Sequence, residues 1–249
     1  MNDFLNNLFP LVEFQNKNDE EFFKQVFSQE QTFYKKRLED IGFLDKNVVL
    51  DAGCGFGQWS LALSELNKLV YAVDLQEDRI KNCLKINNYC KKNNIFLGLN
   101  SIENLSFMNE SFDAIFCYSV IYSADFDKAI KEFYRILKPQ GKLYFVSNGL
   151  GWYLKSLFEK TTTNFNKRKH AINSIISSLE FQIFRQKKAD YSLILSQDEI
   201  RKQLESVGFK KVIIKEEGFL SKENNIISQS AYRKKILFFS NVFEVLTEK

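Results

Sequence analysis

The chain has 249 residues, 45% of them hydrophobic and 27% charged, with a formal net charge of +4. That is enough apolar material for one substantial core with room for an added subdomain, and two prolines and ten glycines leave no place for a Pro/Gly-rich linker. The opening "MNDFLNNLFPLVEF" lacks the basic start and long apolar run of a secretory signal, and no apolar run approaches the ~18 residues needed to cross a bilayer. Cys54, Cys83, Cys90 and Cys117 show no CxxC spacing, so the pattern is neither a zinc ribbon nor a disulfide framework. A soluble, reducing, cytoplasmic setting without a metal site is expected.

Along the chain, apolar runs alternate with helical patterns. A helix is expected around 19–39, within an N-terminal helical segment, 1–44. "NVVLD" (47–51) reads as a buried strand and "GQWSLALSELN" (57–67) as a helix. "LVYAVD" (69–74) is a second strand, "QEDRIKNCLKINNYCKKNN" (76–94) a long amphipathic helix, and "IFLGL" (95–99) and "FDAIFCYS" (112–119) the next strands. "DFDKAIKEFYRILK" (125–138) is a helix that "PQG" stops, ahead of the strand "KLYFVS" (142–147). "SQDEIRKQLESVG" (196–208) reads as a helix, "KKVIIKEE" (210–217) as a strand and "FEVLTEK" (243–249) as a terminal strand. Continuous apolar strands joined by helical crossovers predict an open, mostly parallel α/β sheet.

Chemistry concentrates in "VVLDAGCGFGQWSLA" (48–62), a strand, a glycine-rich turn and a helix start. A dinucleotide site wants G-x-G-x-x-G, whose last glycine allows close helix–strand packing. Here Gly53, Gly55 and Gly57 alternate, and Gln58 takes the place of that last glycine. Asp74 ends the second strand where a ribose-binding carboxylate belongs with either cofactor. Asp51 breaks the tie. A carboxylate before the glycines repels a pyrophosphate and suits a ligand with an ammonium group.

The segments "VVLDAGCGFG", "VYAVDL", "FDAIFCYSVIY" and "FYRILKPQGKLYFVS", in this order and spacing, resemble the successive motifs of the class I S-adenosylmethionine-dependent methyltransferases across about residues 45 to 147. The resemblance implies a Rossmann-like fold, an open seven-stranded sheet with helices on both faces, as a domain over 45–249. It implies S-adenosyl-L-methionine as cofactor, with Asp51 and the backbone of Gly53, Cys54, Gly55, Phe56 and Gly57 at the methionine end. Asp74 would take the ribose hydroxyls and Leu75 would lie against the adenine. Asn100, in "LNSIENL" where relatives often have aspartate, would accept from the adenine amino group, with Ser101 and Ile102 giving backbone contacts. Tyr118 and Ser119 would sit beside the methyl group. Leu75, Ile102 and Tyr118 equally suit ordinary packing.

The acceptor is less legible. "CYSV" (117–120) lacks the Pro-Pro motif of nucleobase amine methylation, and Cys117 lacks the Pro-Cys pair of C5 methylation, so it reads as the end of a buried strand. Nucleic acid stays open as a partner. The segment 147–191, placed as a helical insertion after the fifth strand, has eight Lys/Arg against three Asp/Glu, while the rest has 27 against 28. Ile172, Ile175, Ile176, Leu179 and Ile183 form one apolar stripe in it. It reads either as packed helices with solvated lysines or as a basic cap over a small anionic acceptor. "NGLGWY" resembles methyltransferases of surface-polysaccharide synthesis, which implies O-methylation of a phosphorylated or nucleotide-linked sugar. His170, the lone histidine, is a candidate base for a hydroxyl, and Tyr122 could orient that hydroxyl or wall the pocket. The alternatives are an RNA methyltransferase and a non-catalytic S-adenosylmethionine-binding assembly protein.

Asp74→Ala is expected to weaken cofactor binding by at least ~2 kcal/mol, because two charge-assisted hydrogen bonds are lost. Titration calorimetry showing unchanged affinity would refute the ribose assignment.

Overall fold

The computed structural model describes residues 3–158, 164–184, 192–220, 235–236, 239–240 and 242–249. By their contacts they form two compact units, Met1–Phe116 with Ile136–Gly141, and Cys117–Arg135 with Lys142–Lys249.

In the first unit, strand β1 (Val48–Ala52) is followed by helix α4 (Gln58–Leu66), β2 (Leu69–Asp74), α5 (Glu77–Tyr89), β3 (Ile95–Leu99) and β4 (Phe112–Tyr118). Both β2 and β4 run parallel to β1, pairing Val48 with Leu69 and Val49 with Ala114. Strand β3 adds in parallel to β2. Val49, Leu50, Ala52, Val70 and Ala72 are fully buried, as expected of a parallel sheet covered on both faces. Asp113 holds the start of β1 by accepting from Val48 N–H at 2.8 Å and pairing with Lys138 at 2.8 Å.

Ahead of β1 lie α1 (Asp3–Leu8), a 3-10 turn (Phe9–Leu11), α2 (Lys17–Phe27) and α3 (Gln31–Asp40). The single helix expected over 19–39 is two helices, a correction with a local cause. Ser28 caps α2 and its hydroxyl donates to the Gln25 carbonyl at 2.8 Å, a side-chain bond that competes with helix continuation. Glu30 then adopts extended backbone before α3. Phe23 meets Phe27 at 4.7 Å and Phe56 at 5.1 Å between ring centroids, in a buried aromatic cluster. Helix α5 ends at Tyr89, not 94, because Lys91 turns left-handed at φ 53°.

In the second unit, β5 (Leu137–Asn148, which begins in the first unit) pairs antiparallel with β9 (Val242–Glu248), and β9 pairs antiparallel with β6 (Lys210–Glu216). A register shift between Lys210 and Ile213 coincides with Lys211 at φ 52°, as a bulge requires. Buried Glu244 is satisfied by Tyr144 at 2.8 Å and by Leu220 N–H at 2.7 Å. The seven strands are ordered β3-β2-β1-β4-β5-β9-β6, the open, mostly parallel sheet that the sequence predicts. Helix α6 (Phe126–Ile136) ends two residues before the expected stop, and the chain enters β5 at once, five residues ahead of the expected 142.

The segment after β5 forms α7 (Leu150–Phe158) and α8 (Asn164–Phe184); α9 (Gln197–Val207) follows, and a short β7 (Lys235–Ile236) pairs with β8 (Phe239–Ser240). Within α8 the packing face is not the apolar stripe. Ala171, Ser174, Ser177 and Ser178 are buried, while Ile172, Ile176, Leu179 and Ile183 are 48–70% exposed. Small residues permit close helix approach, and Ser178 satisfies its polar atoms through the Ser174 carbonyl at 2.6 Å and Ile194 N–H at 2.8 Å.

Phe23→Ala is expected to destabilise the protein by about 3–5 kcal/mol through the cavity it leaves. A urea midpoint within error of the parent would show that the N-terminal helices do not share the core.

Candidate functional site

At the end of β1 three glycines turn the chain through left-handed conformations, Gly53 at φ 85°, Gly55 at 57° and Gly57 at 86°. A side chain there carries a steric cost that glycine escapes. Gly53 and Cys54 both donate to the Val73 carbonyl, at 2.8 and 2.9 Å, and Gly57 N–H closes onto the Cys54 carbonyl at 2.9 Å. Gly55 N–H donates to Asp74 Oδ2 at 3.0 Å, and Gln76 N–H to the other oxygen, Oδ1, at 2.9 Å. A Cβ added at Gly55 would meet nothing within 4 Å, so the loop borders open space, whereas one at Gly57 would lie 2.8 Å from Cys83 Sγ. Asp74 still has lone pairs for hydroxyl donors, since a carboxylate offers about four acceptor sites.

The end of β3 is tied to the same place, with Asn100 N–H donating to the Asp74 carbonyl at 3.0 Å. Leu75 is 71% exposed and presents an apolar face beside Asp74. Ser101 is half-buried and accepts from Glu103 N–H at 3.2 Å. Ile102 is 7% exposed, which leaves its backbone as what it can offer. The structure thus gathers Asp51, the glycine loop, Asp74, Leu75 and the start of 100–102 within one unit, at the C-terminal ends of β1, β2 and β3. Ligands bind at such ends in open α/β sheets.

Asp51 is buried, and its Oδ2 accepts from the Ser60 hydroxyl at 2.6 Å. Burial pushes its carboxyl up to about 7, opposed by the Ser60 hydrogen bond and reinforced by Asp74. Gln58, the first residue of α4, is also buried, and its Oε1 has no hydrogen-bond partner. The sequence marks Gln58 only as the missing glycine; its orphaned acceptor emerges from packing. Cys54 Sγ lies 3.9 Å from Cys83 Sγ, and Cys83 Sγ donates to the Gly55 carbonyl at 3.3 Å. Phe56 turns its ring away from the loop into the Phe14, Phe22 and Phe23 cluster, with the Arg79 guanidinium 4.0 Å from its centroid. The ring is therefore used in packing, and only the Phe56 backbone belongs to the loop. Arg79 is itself paired with Asp19 of α2, so the N-terminal helices buttress the loop, a role with no motif in the sequence.

The second unit carries the remaining candidates. Tyr118 donates its hydroxyl to Glu217, a partner the sequence does not indicate. Ser119 is held at φ 59°, a left-handed position that is strained for a side chain. Tyr122 is half-buried in a 3-10 turn, Ile121–Ser123. His170 is half-buried on α8, with Nε2 3.4 Å from Ser192 Oγ and 3.5 Å from Ser174 Oγ. Desolvation lowers its pKa, which favours the neutral imidazole. Tyr153 of α7, missed in the sequence although it lies in "GWYLKSLF", packs near His170. Its ring centroid is 6.4 Å from that of His170, and it is close enough to Tyr122 to interact electrostatically. The Tyr153 hydroxyl is fully buried beside Ser192 and Asn148 without a well-formed hydrogen bond. Arg168 and Lys169, by contrast, are exposed on α8, and the Lys167 side chain lies outside the described residues.

A polar cavity of about 300 Å³ lined by Asp45, Asp113, Lys138 and Gln140 opens at the opposite, N-terminal end of β1, away from the glycine loop. It has none of the loop's features. Among the described residues, no cluster of His, Cys, Asp and Glu is arranged to hold a metal.

The methyltransferase domain family matches residues 50–145. A demethylmenaquinone methyltransferase of Lactococcus lactis is 31% identical over 47% of this chain and 48% of its own length. A ubiquinone biosynthesis O-methyltransferase of Coxiella burnetii is 27% identical over 70% of this chain and 68% of its own. The chain thus spans about half the length of the first of these relatives. The crystal structure of a phosphoethanolamine N-methyltransferase from Haemonchus contortus, solved with S-adenosyl-L-methionine, superposes with a TM-score of 0.60 at 18% identity, over 88% of this chain and 52% of that one; at that identity the likeness is one of fold. S-adenosylmethionine fits the first unit's residues, because Asp51 can meet its ammonium, Asp74 its ribose hydroxyls, and the open space at Gly55 admits it against bare backbone. With its matched motifs, its sheet order and its glycine loop in agreement, the chain carries a methyltransferase domain of the class I, S-adenosylmethionine-dependent family over residues 50–145.

Proposed function

We propose that this protein transfers the methyl group of S-adenosylmethionine to a hydroxyl of a small aromatic acceptor, of the class met in quinone biosynthesis. The observation that carries the reading is the Tyr153–His170 pair, a buried phenol with an unsatisfied hydroxyl beside an imidazole that desolvation keeps neutral. Aromatic walls suit a planar acceptor, and a neutral imidazole is a competent general base near pH 7. The names of the Lactococcus and Coxiella relatives support the same acceptor class. The phosphorylated-sugar reading finds less support, because Arg168 and Lys169 stand on the exposed side of α8 while His170 is half-buried.

In this mechanism the cofactor supplies a sulfonium-activated methyl group, and the protein positions both reactants and manages one proton. Asp51 would hold the cofactor ammonium, Asp74 the ribose, Leu75 and Ile102 the adenine, and Asn100 and Ser101 its edge. Tyr118, Ser119 and Tyr122 would shape the acceptor side. His170 Nε2 would accept the proton of the acceptor hydroxyl and release it to water.

Two outcomes test this reading. Below about pH 7 free Asp51 is protonated, so binding the cofactor's ammonium must expel a proton. Apparent cofactor affinity is then expected to fall about tenfold per pH unit between about pH 7 and 5. The sign follows from linkage: a raised carboxyl pKa leaves the free fold most stable when protonated and less stable as pH rises through 7. Calorimetry in buffers of different ionisation enthalpy measures the proton, and Asp51→Asn should remove the pH dependence. On the acceptor side, mass spectrometry of S-adenosylhomocysteine formed with a panel of catechols, demethylated quinone precursors and sugar nucleotides is expected to show turnover with the aromatic hydroxyls. His170→Ala should then lower kcat by about 10²–10⁴ with cofactor affinity unchanged. Turnover only with sugar nucleotides, or methyl incorporation into RNA, would overturn the acceptor assignment.

A further inference from the structure

Among the described side chains of helix α8, small residues are buried and large aliphatic ones exposed: Ala171, Ser174, Ser177 and Ser178 face inward, while Ile172, Ile176, Leu179 and Ile183 face outward at 48%, 49%, 56% and 70% exposure. These four recur at spacings of four, three and four, so they form one continuous line along the helix. Arg168 and Lys169 lie four and three residues before Ile172, which places both on the same outward face, and both are exposed. A row of large aliphatic side chains left in water is unfavourable unless something covers it.

We propose that this face of α8 docks on an anionic phospholipid surface, with the four aliphatic side chains entering the headgroup–acyl boundary and Arg168 and Lys169 pairing with lipid phosphates. A helix with a basic entry and an aliphatic stripe lies in the interface plane and does not span, and no helix among the described residues is long and apolar enough to cross a membrane. Charge selects the lipid over a second copy of the chain. Lys167, Arg168 and Lys169 precede the stripe in sequence, and Arg185, Lys187 and Lys188 follow it. Two stripes pairing in parallel would set the exposed Arg168 and Lys169 of both copies side by side, whereas an anionic bilayer meets them with opposite charge, and the sequence places no acidic residue between 160 and 179 to offset them. Docking is independent of the acceptor's identity, and it would bring the protein to where lipophilic small molecules concentrate.

Flotation of the full chain with vesicles of phosphatidylcholine alone, and of phosphatidylcholine mixed with phosphatidylglycerol, tests the proposal. Binding is expected to the mixed vesicles and to be weak on pure phosphatidylcholine. Arg168→Gln with Lys169→Gln should lower partition about thirtyfold, at about five- to sixfold for each basic residue near the surface. Ile176→Ser with Leu179→Ser should lower it at least tenfold, since each aliphatic burial is lost. Both sites are exposed, and calorimetric cofactor affinity of the variants should match the parent. Equal partition onto the two vesicle types, no partition at all, or partition unchanged in both double variants would overturn the proposal. So would concentration-dependent dimerisation by sedimentation that the serine variant abolishes without any vesicle binding.

Discussion

The hydrogen bond from Gly55 N–H to the Asp74 carboxylate joins the loop after β1 to the end of β2. It forms because Gly53, Gly55 and Gly57 take left-handed backbone, which turns the amide toward the neighbouring strand. The same carboxylate accepts from Gln76 N–H and so sets the entry to α5, while the Asp74 carbonyl accepts from Asn100 at the end of β3. One residue thus gathers the C-terminal edge of three parallel strands. A substitution at Asp74 acts on loop geometry as well as on any ligand, so its effects on binding and stability are coupled.

Asp51 is a carboxyl that the fold keeps buried at an energetic cost. Its carboxyl is buried with a hydroxyl as partner, and burial raises its pKa toward neutrality. A cation brought beside it would relieve that penalty, which would couple its ionisation to binding. The neighbouring unsatisfied Gln58 Oε1 has the same character, a buried acceptor without its partner.

Support for the loop comes from elements outside the sheet. Phe56 is anchored in rings from the N-terminal segment, and Arg79 bridges that cluster to Asp19. Glu13 and Asn82 exchange two backbone–side-chain hydrogen bonds, at 3.0 and 2.8 Å, that fix the segment to α5. The glycine loop is therefore anchored at Phe56.

Strand identities and the glycine turn of the first unit were legible in the sequence, because continuous apolar runs and alternating glycines are local signals whose physical meaning does not depend on distant contacts. "NVVLD", "LVYAVD" and "IFLGL" each formed the strand expected of them, and "SQDEIRKQLESVG" carried its own capping box at Ser196 and Glu199. Where a choice rested on contacts, the tertiary structure decided. It broke the N-terminal helix at Ser28, carried β5 back to Leu137, and turned the aliphatic stripe of α8 outward by packing small, internally satisfied serines instead. Periodicity specifies that a helix has two unlike faces, but which face is buried depends on how closely the neighbouring element can approach. The placement of Tyr153 beside His170 likewise follows from the packing of α7 on α8, a contact between residues far apart in sequence that no local pattern encodes.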